Sequence, residues 1–197
     1  MMKRGVKPRF LYVDTGRYAG PDCYPNVLRN LAALSSWTPG IRLDLTIIRA
    51  EPFFSLLMSD AEPRFRCVHC KRGMLLLGAD VAQRMKLPGI ITGDNLGQVA
   101  TQTLPNLVTI SSAVSSPVIR PLIGFDKEEI IGIARRIGTF TDSPGDTSCG
   151  VVPPRPATAA DLRVIEEIEK SLHLNECLRE LQSAVTVVTA INGEIFG

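Results

Sequence analysis

Short apolar runs that end in turns and alternate with helix-patterned stretches constrain this chain more than any other feature. Arg9 to Asp14 (Arg-Phe-Leu-Tyr-Val-Asp) is one such run and ends in Thr15-Gly16. Leu43 to Arg49, Gly89 to Thr92 and Val118 to Leu122 are three more, and Gly89 to Thr92 runs straight into Gly93. Between and after them, helices are predicted over Tyr24 to Trp37, Pro52 to Ser59, Cys67 to Leu87, from Gln98 to Leu104, Asp126 to Ile137, Thr158 to Leu172 and Asn175 to Ala184. The long helix carries Met74, Leu75, Leu77, Gly78, Val81, Ala82 and Met85 on one face. Asp126 with Glu129 three residues on is a capping-box pattern, and Thr158 is the expected cap of the later helix. Strands alternating with helices imply an α/β fold, a parallel sheet covered on both faces. Ligands of such sheets sit at the C-terminal strand ends, where Asp14-Thr15-Gly16 and Thr92-Gly93-Asp94 fall.

Composition narrows the class without choosing a function. The 197 residues are enough to bury a core without disulfide staples. The 22 Lys and Arg against 20 Asp and Glu give a net charge of +2, which neither demands nor excludes nucleic acid. No apolar run approaches the roughly 20 residues of a membrane span, and Met1-Met2-Lys3-Arg4-Gly5 lacks a following signal-peptide core, so the expectation is a cytoplasmic protein with no membrane partner. Five unevenly spaced cysteines point to metal or catalytic thiols over a disulfide framework.

The chemistry-bearing residues lie between Cys67 and Cys149. Cys67 and Cys70 form a C-x-x-C near a helix start, followed by Lys71 and Arg72, a setting that favours thiolates. This reads as a metal or cluster site or a redox pair; the plain alternative is chance spacing of two packed residues. His69 points off their shared face. Two thiols cannot close a four-coordinate zinc site, and Cys149, between Ser148 and Gly150 in a Pro/Gly/Ser-rich loop over Thr141 to Pro156, is the best third ligand. Three thiols with one open position suit an iron–sulfur cluster or a catalytic metal. Cys177 reads as a packed helical thiol. Gly93-Asp94-Asn95-Leu96-Gly97 is a turn that lets backbone approach a ligand, with Gln102 about one turn into the helix after it. Lys127, at a helix start, is placed to meet a phosphate, against the default of a solvated lysine.

Together, Gly93 to Leu104 (Gly-Asp-Asn-Leu-Gly-Gln-Val-Ala-Thr-Gln-Thr-Leu), Arg120 to Ile131 (Arg-Pro-Leu-Ile-Gly-Phe-Asp-Lys-Glu-Glu-Ile-Ile) and Ser148-Cys149-Gly150-Val151 resemble the tRNA 4-thiouridine synthetase (tRNA sulfurtransferase, ThiI) family, whose adenylating domain belongs to the PP-loop superfamily. The resemblance runs from Met1 to about Pro156 and implies a PP-loop-type domain over 1–156 followed by a helical extension over 157–197. It implies ATP with Mg2+ as cosubstrate, contacted by Gly93, Gln102, Lys71 or Arg72, with Tyr12 and Val13 lining the adenine. It implies catalytic roles for Asp126, Lys127 and Cys149, and an iron–sulfur cluster on Cys67, Cys70 and Cys149, as in archaeal-like members without a rhodanese domain. The implied reaction adenylates the C4 oxygen of a tRNA uridine and replaces it with sulfur from a sulfur donor.

The family's Ser-Gly-Gly-x-Asp-Ser phosphate loop, the central strand before it and the THUMP domain are not in this sequence. Three explanations stay open: the protein begins upstream of Met1, a separate chain supplies those parts, or ATP chemistry has been lost. An uncovered sheet edge is expected, paired with something such as a second copy of the chain in a homodimer. Two other functions are weighed: a zinc-containing PP-loop enzyme acting on a small molecule, and a non-catalytic subunit that needs a loop-bearing partner.

Overall fold

The computed structural model describes residues 1–183 and 185–197. The first half of the chain forms β1 (Phe10–Asp14), α1 (Cys23–Ser36), β2 (Leu43–Arg49), α2 (Glu51–Asp60), α3 (Arg66–Arg84) and β3 (Ile90–Ile91). The second forms α4 (Leu104–Ser111), β4 (Val118–Ile119), α5 (Lys127–Arg136), α6 (Leu162–Ser171), α7 (Leu174–Leu181), β5 (Val185–Ile191) and β6 (Glu194–Phe196). The fold is α/β, with β1 parallel to β2 and β3 parallel to β4, but the strands fall in two sheets, the larger one mixed, where one parallel sheet was expected. No helix among the described residues is long and apolar enough to cross a membrane.

The chain divides into two compact units. The first comprises Met1–Arg49, Asp126–Gly150 and the C-terminal strands. Its four-stranded sheet has the order β1-β2-β5-β6. Leu43, Leu45, Ile47, Val188 and Ala190 from the sheet pack with Leu31 of α1 into one buried cluster. Among the described residues β1 has β2 on one side and no strand on the other, and all five of its residues are only half-buried. The uncovered edge expected from the sequence is therefore present; a parallel strand this apolar is ordinarily covered.

The second unit comprises Ala50–Phe125 and Val151–Ser183. Phe65, Val68 and Leu75 around and along α3, Ile110 of α4, and Ala157, Ala160 and Ile165 from the segment leading into α6 form its core. Asn106, fully buried, ties that segment down: its amide nitrogen donates to the carbonyls of Ala100 (2.7 Å) and Ala157 (2.8 Å), and its oxygen accepts from the Ala160 backbone N–H (2.9 Å).

These packings correct the expected domain boundary. Residues after 156 are no helical appendix: up to Ser183 they complete the core of the second unit, and β5–β6 add an antiparallel hairpin to β2. The missed signal was Val185 to Phe196, a β-branched run around Asn192-Gly193, both at positive φ. Position 184, where the last helix was expected to end, lies outside the described residues. Two helix starts also move. Thr103 caps α4 by accepting from the Asn106 N–H, with Pro105 in the first turn, so Gln102 precedes this helix in a 3-10 turn over Ala100–Gln102. Asp161, accepting from Arg163 N–H, caps α6 in place of Thr158.

Candidate active site

In the second unit, Asp94 follows β3 and its carboxylate is 7 % exposed. Lys71 Nζ, one turn into α3 beyond the C-x-x-C start, donates to Oδ1. Thr92 Oγ1 (2.8 Å) and Arg120 Nε (3.1 Å) donate to Oδ2. Arg120 follows β4 and its Nη2 is held by Ser111 Oγ (2.9 Å). Burial raises the Asp94 carboxyl pKa, but the hydrogen bond and charge of Lys71, with Thr92 and Arg120, outweigh it and hold the group below the usual carboxylate range. Two cations thus share one counter-charge at the C-terminal ends of a parallel strand pair. A side chain at the neighbouring Gly93 would meet open space, and in the same unit Gln102 Oε1 is buried with no hydrogen-bond partner among the described residues. Backbone that a ligand can approach and a buried acceptor awaiting a donor fit a bound polar ligand such as the expected nucleotide. Arg120 and Asp94 are the residues sequence reasoning missed; each stood inside a quoted motif, but the motif could not show that they share a carboxylate.

Arg72 does not keep its expected ligand role. Its guanidinium is 4 % exposed and is engaged inside the unit: Nε and Nη2 donate to the two oxygens of Glu169 (2.7 and 2.9 Å), and Nη1 donates to Thr109 O and Ser112 Oγ. Of the Lys71/Arg72 pair, only Lys71 has its ammonium part-exposed, at 29 %. His69 also turns inward, fully buried, with Nδ1 3.4 Å from Glu169 Oε1.

In the first unit, Tyr12 and Val13 end β1, and the Tyr12 ring stacks on Tyr24 with centroids 5.7 Å apart. Burial, then the nearby Asp14 charge, push the Tyr12 hydroxyl pKa up to about 12. Asp126 is the cap of α5: Oδ1 accepts from Glu129 N–H (2.8 Å), and the Glu129 carboxylate accepts from Asp126 N–H (2.8 Å), the predicted capping box. Lys127 opens that helix and is exposed.

Cys149 is exposed, but its loop is tied to the segment after β1. Gly20 N–H donates to Ser148 O (2.9 Å), Gly150 N–H to Tyr18 O (2.8 Å), Asp22 N–H to Asp146 O (3.1 Å) and Asp146 N–H to the Asp22 carboxylate (2.7 Å). These bonds present the thiol on a strapped loop. Ala at position 20 would drive its Cβ into the Asp146 carbonyl oxygen. Gly20→Ala should therefore release the strap while leaving the sheet core intact, seen as faster amide hydrogen exchange at Gly20, Asp146 and Gly150 with little change elsewhere.

The thiols divide between the units: Cys67 and Cys70 lie one turn apart on α3 in the second, Cys149 in the first. Among the described residues no group of three or more His, Cys, Asp or Glu side chains is placed to hold a metal ion. Cys177 sits within α7, and burial, then the Glu180 charge, push its thiol pKa up, as befits a packed residue.

The fold, with candidate residues at its strand ends, defines an α/β domain of the PP-loop type. The family model described as thiamine biosynthesis protein (ThiI) matches residues 1–174, and the chain belongs to that family. Relatives named probable tRNA sulfurtransferase include those of Methanobrevibacter smithii (33 % identical over 181 residues, 91 % of this chain and 48 % of the relative) and Methanosarcina mazei (35 % over 191 residues, 95 % and 47 %). A solved 4-thiouridine synthetase–RNA complex with bound ATP superposes with a TM-score of 0.88 at 29 % identity, covering 99 % of this chain and 50 % of that one. The chain spans about half the length of the curated relatives it matches.

Proposed function

We propose that this chain is the ATP-using half of a tRNA sulfurtransferase that makes 4-thiouridine. The observation that carries the reading is the two-cation, one-carboxylate cluster of Lys71, Arg120 and Asp94 beside Gly93, with Gln102 in the same unit, on a fold whose solved relative holds ATP and RNA. In this reading the uridine O4 attacks the α-phosphorus of ATP and pyrophosphate leaves. A sulfur nucleophile then adds at C4, and AMP departs with the electrons of the C4–O bond. Gly93 and Gln102 hold the nucleotide, Tyr12 and Val13 meet the adenine through their backbone, and Lys71 and Lys127 offset charge on the phosphates. Asp126 serves by capping the helix that Lys127 opens. ATP brings Mg2+, which offsets phosphate charge. The exposed Cys149 thiol is the residue assigned to the transfer: loaded as a persulfide by a donor of sulfane sulfur, its outer sulfur attacks C4 as AMP leaves, and a second thiol cleaves the S–S bond to release the thiocarbonyl.

The open edge of β1 is where a further parallel strand pairs in this reading. That strand, carrying a phosphate loop, comes from the same polypeptide or from a partner chain; a homodimer is the alternative occupant. An iron–sulfur cluster on Cys67, Cys70 and Cys149 remains the family's implication, and no step above passes through it. Two measurements test the reading together. Incubation with ATP, a donor of sulfane sulfur, a reducing thiol and unmodified tRNA, with the loop-bearing N-terminal half of a relative added in trans, should yield 4-thiouridine. Anaerobically purified protein should hold iron and sulfide that Cys67→Ser removes; stoichiometric zinc and no thiolation would instead favour a small-molecule PP-loop enzyme.

A further inference from the structure

The Asp94 cluster contains more than a ligand contact, and the inference here rests on the ATP reading above. An acidic side chain next to a phosphate site is electrostatically unfavourable, because it repels the ligand's charge. Asp94 nevertheless lies buried at the strand end, with both oxygens accepting from side chains that would otherwise be long and mobile. Lys71 comes from α3 and Arg120 from the turn after β4, and both donate to this carboxylate, which brings the two cationic groups to a common point. Thr92 fixes the carboxylate itself from the strand, and Ser111 of α4 holds the far side of the Arg120 fork. Arg120 is only 14 % exposed, too enclosed for a solvated surface charge.

We infer that Asp94 is a positioning residue: it gathers Lys71 and Arg120 into a two-cation seat for the nucleotide phosphates, with Arg120 as a second phosphate-binding side chain. The pair leaves one positive charge uncompensated at the strand ends, which a polyphosphate would neutralise. Pre-ordering also spares binding the rotamer entropy of two long side chains.

The sign of one substitution separates this role from simple electrostatics. Asp94→Asn removes a negative charge near a polyanion, so Coulomb's law alone has it tighten binding. Positioning has it weaken binding, by roughly tenfold, the scale of one charge-assisted hydrogen bond. The 197-residue chain is titrated by calorimetry with ATP and with inorganic tripolyphosphate, alongside Asp94→Asn, Asp94→Glu and Arg120→Gln, each checked for folding by circular dichroism. Expected are weaker binding of both probes by Asp94→Asn and Arg120→Gln, and recovery of most of the affinity by Asp94→Glu. A folded Asp94→Asn that binds as well as or better than the unchanged chain overturns the inference and leaves the ATP reading standing. Should Asp94→Asn fail to fold, Arg120→Gln with undiminished affinity overturns it equally. If the unchanged chain binds tripolyphosphate but not ATP, the nucleotide reading fails, and the tripolyphosphate series still decides the role of Asp94. If it binds neither probe, both fall.

Discussion

Cys149→Ser is expected to abolish 4-thiouridine formation, by on the order of 10³-fold or more, the scale at which removal of a nucleophile is felt. The substitution leaves the local structure in place. The bonds that strap the loop run through the backbone of Gly20, Ser148, Gly150 and Asp146 and the Asp22 carboxylate, and none involves the Cys149 thiol. ATP affinity should therefore be unchanged, so the variant separates adenylation from sulfur transfer. The measurement is thiolated nucleoside by mass spectrometry beside pyrophosphate release. Thiolation persisting within about threefold of the unchanged chain, far inside the margin that loss of a nucleophile produces, would remove Cys149 from the chemistry.

The second large effect is on stability. Arg72 and Glu169 form a buried bidentate pair, 4 % and 9 % exposed, that joins α3 to α6. Removing one partner leaves the other charge buried without compensation, which costs about 3–5 kcal/mol. Glu169→Ala should lower the melting temperature by on the order of 10 °C. The double variant Arg72→Met with Glu169→Leu, which removes both charges and keeps the volume, should melt close to the unchanged protein. The pair also gives a pH signature. Burial raises the Glu169 carboxyl pKa, but the hydrogen bonds from His69 and Arg72 and the Arg72 charge hold it below the usual range. A carboxyl lowered on folding contributes stability that is complete above the ordinary Glu value of about 4.3 and is lost as pH falls through the lower folded value. Acid melting curves should lose that dependence in the double variant. A Glu169→Ala protein that melts within about 2 °C of the unchanged one would show that the pair is not what fixes α6 to α3, since about 1 kcal/mol already moves the midpoint that far.

Much of the fold was legible because local signals are strong where burial is periodic. From Leu43 to Ile47 the residues of β2 alternate between core and partly covered positions, and the expected run Leu43 to Arg49 matched the strand end to end. The capping box at Asp126 is a four-residue pattern that owes nothing to distant contacts, and it formed as read. The long helix was found within a few residues because α3 buries Val68, Leu75 and Leu77 among its inward positions. The errors lie where tertiary partners decide. Thr158 looked like a cap, yet its carbonyl accepts from Thr103 Oγ1, and Asp161 caps the helix instead. Arg72 sits next to Lys71 in sequence but about 100° round the helix, which puts one in the core and leaves the other part-exposed.

By itself the sequence determined the alternation of strands and helices, the capping box at Asp126 and the family motifs, because each is written in spacings of a few positions. Only the tertiary structure decided which of those residues keep their charge for a ligand. Asp94 meets Lys71 and Arg120 across 23 and 26 residues of chain, and Arg72 meets Glu169 across 97. A cation's availability depends on whether a carboxylate lies within hydrogen-bond reach, and folding brings such partners together from distances along the chain that no local pattern records.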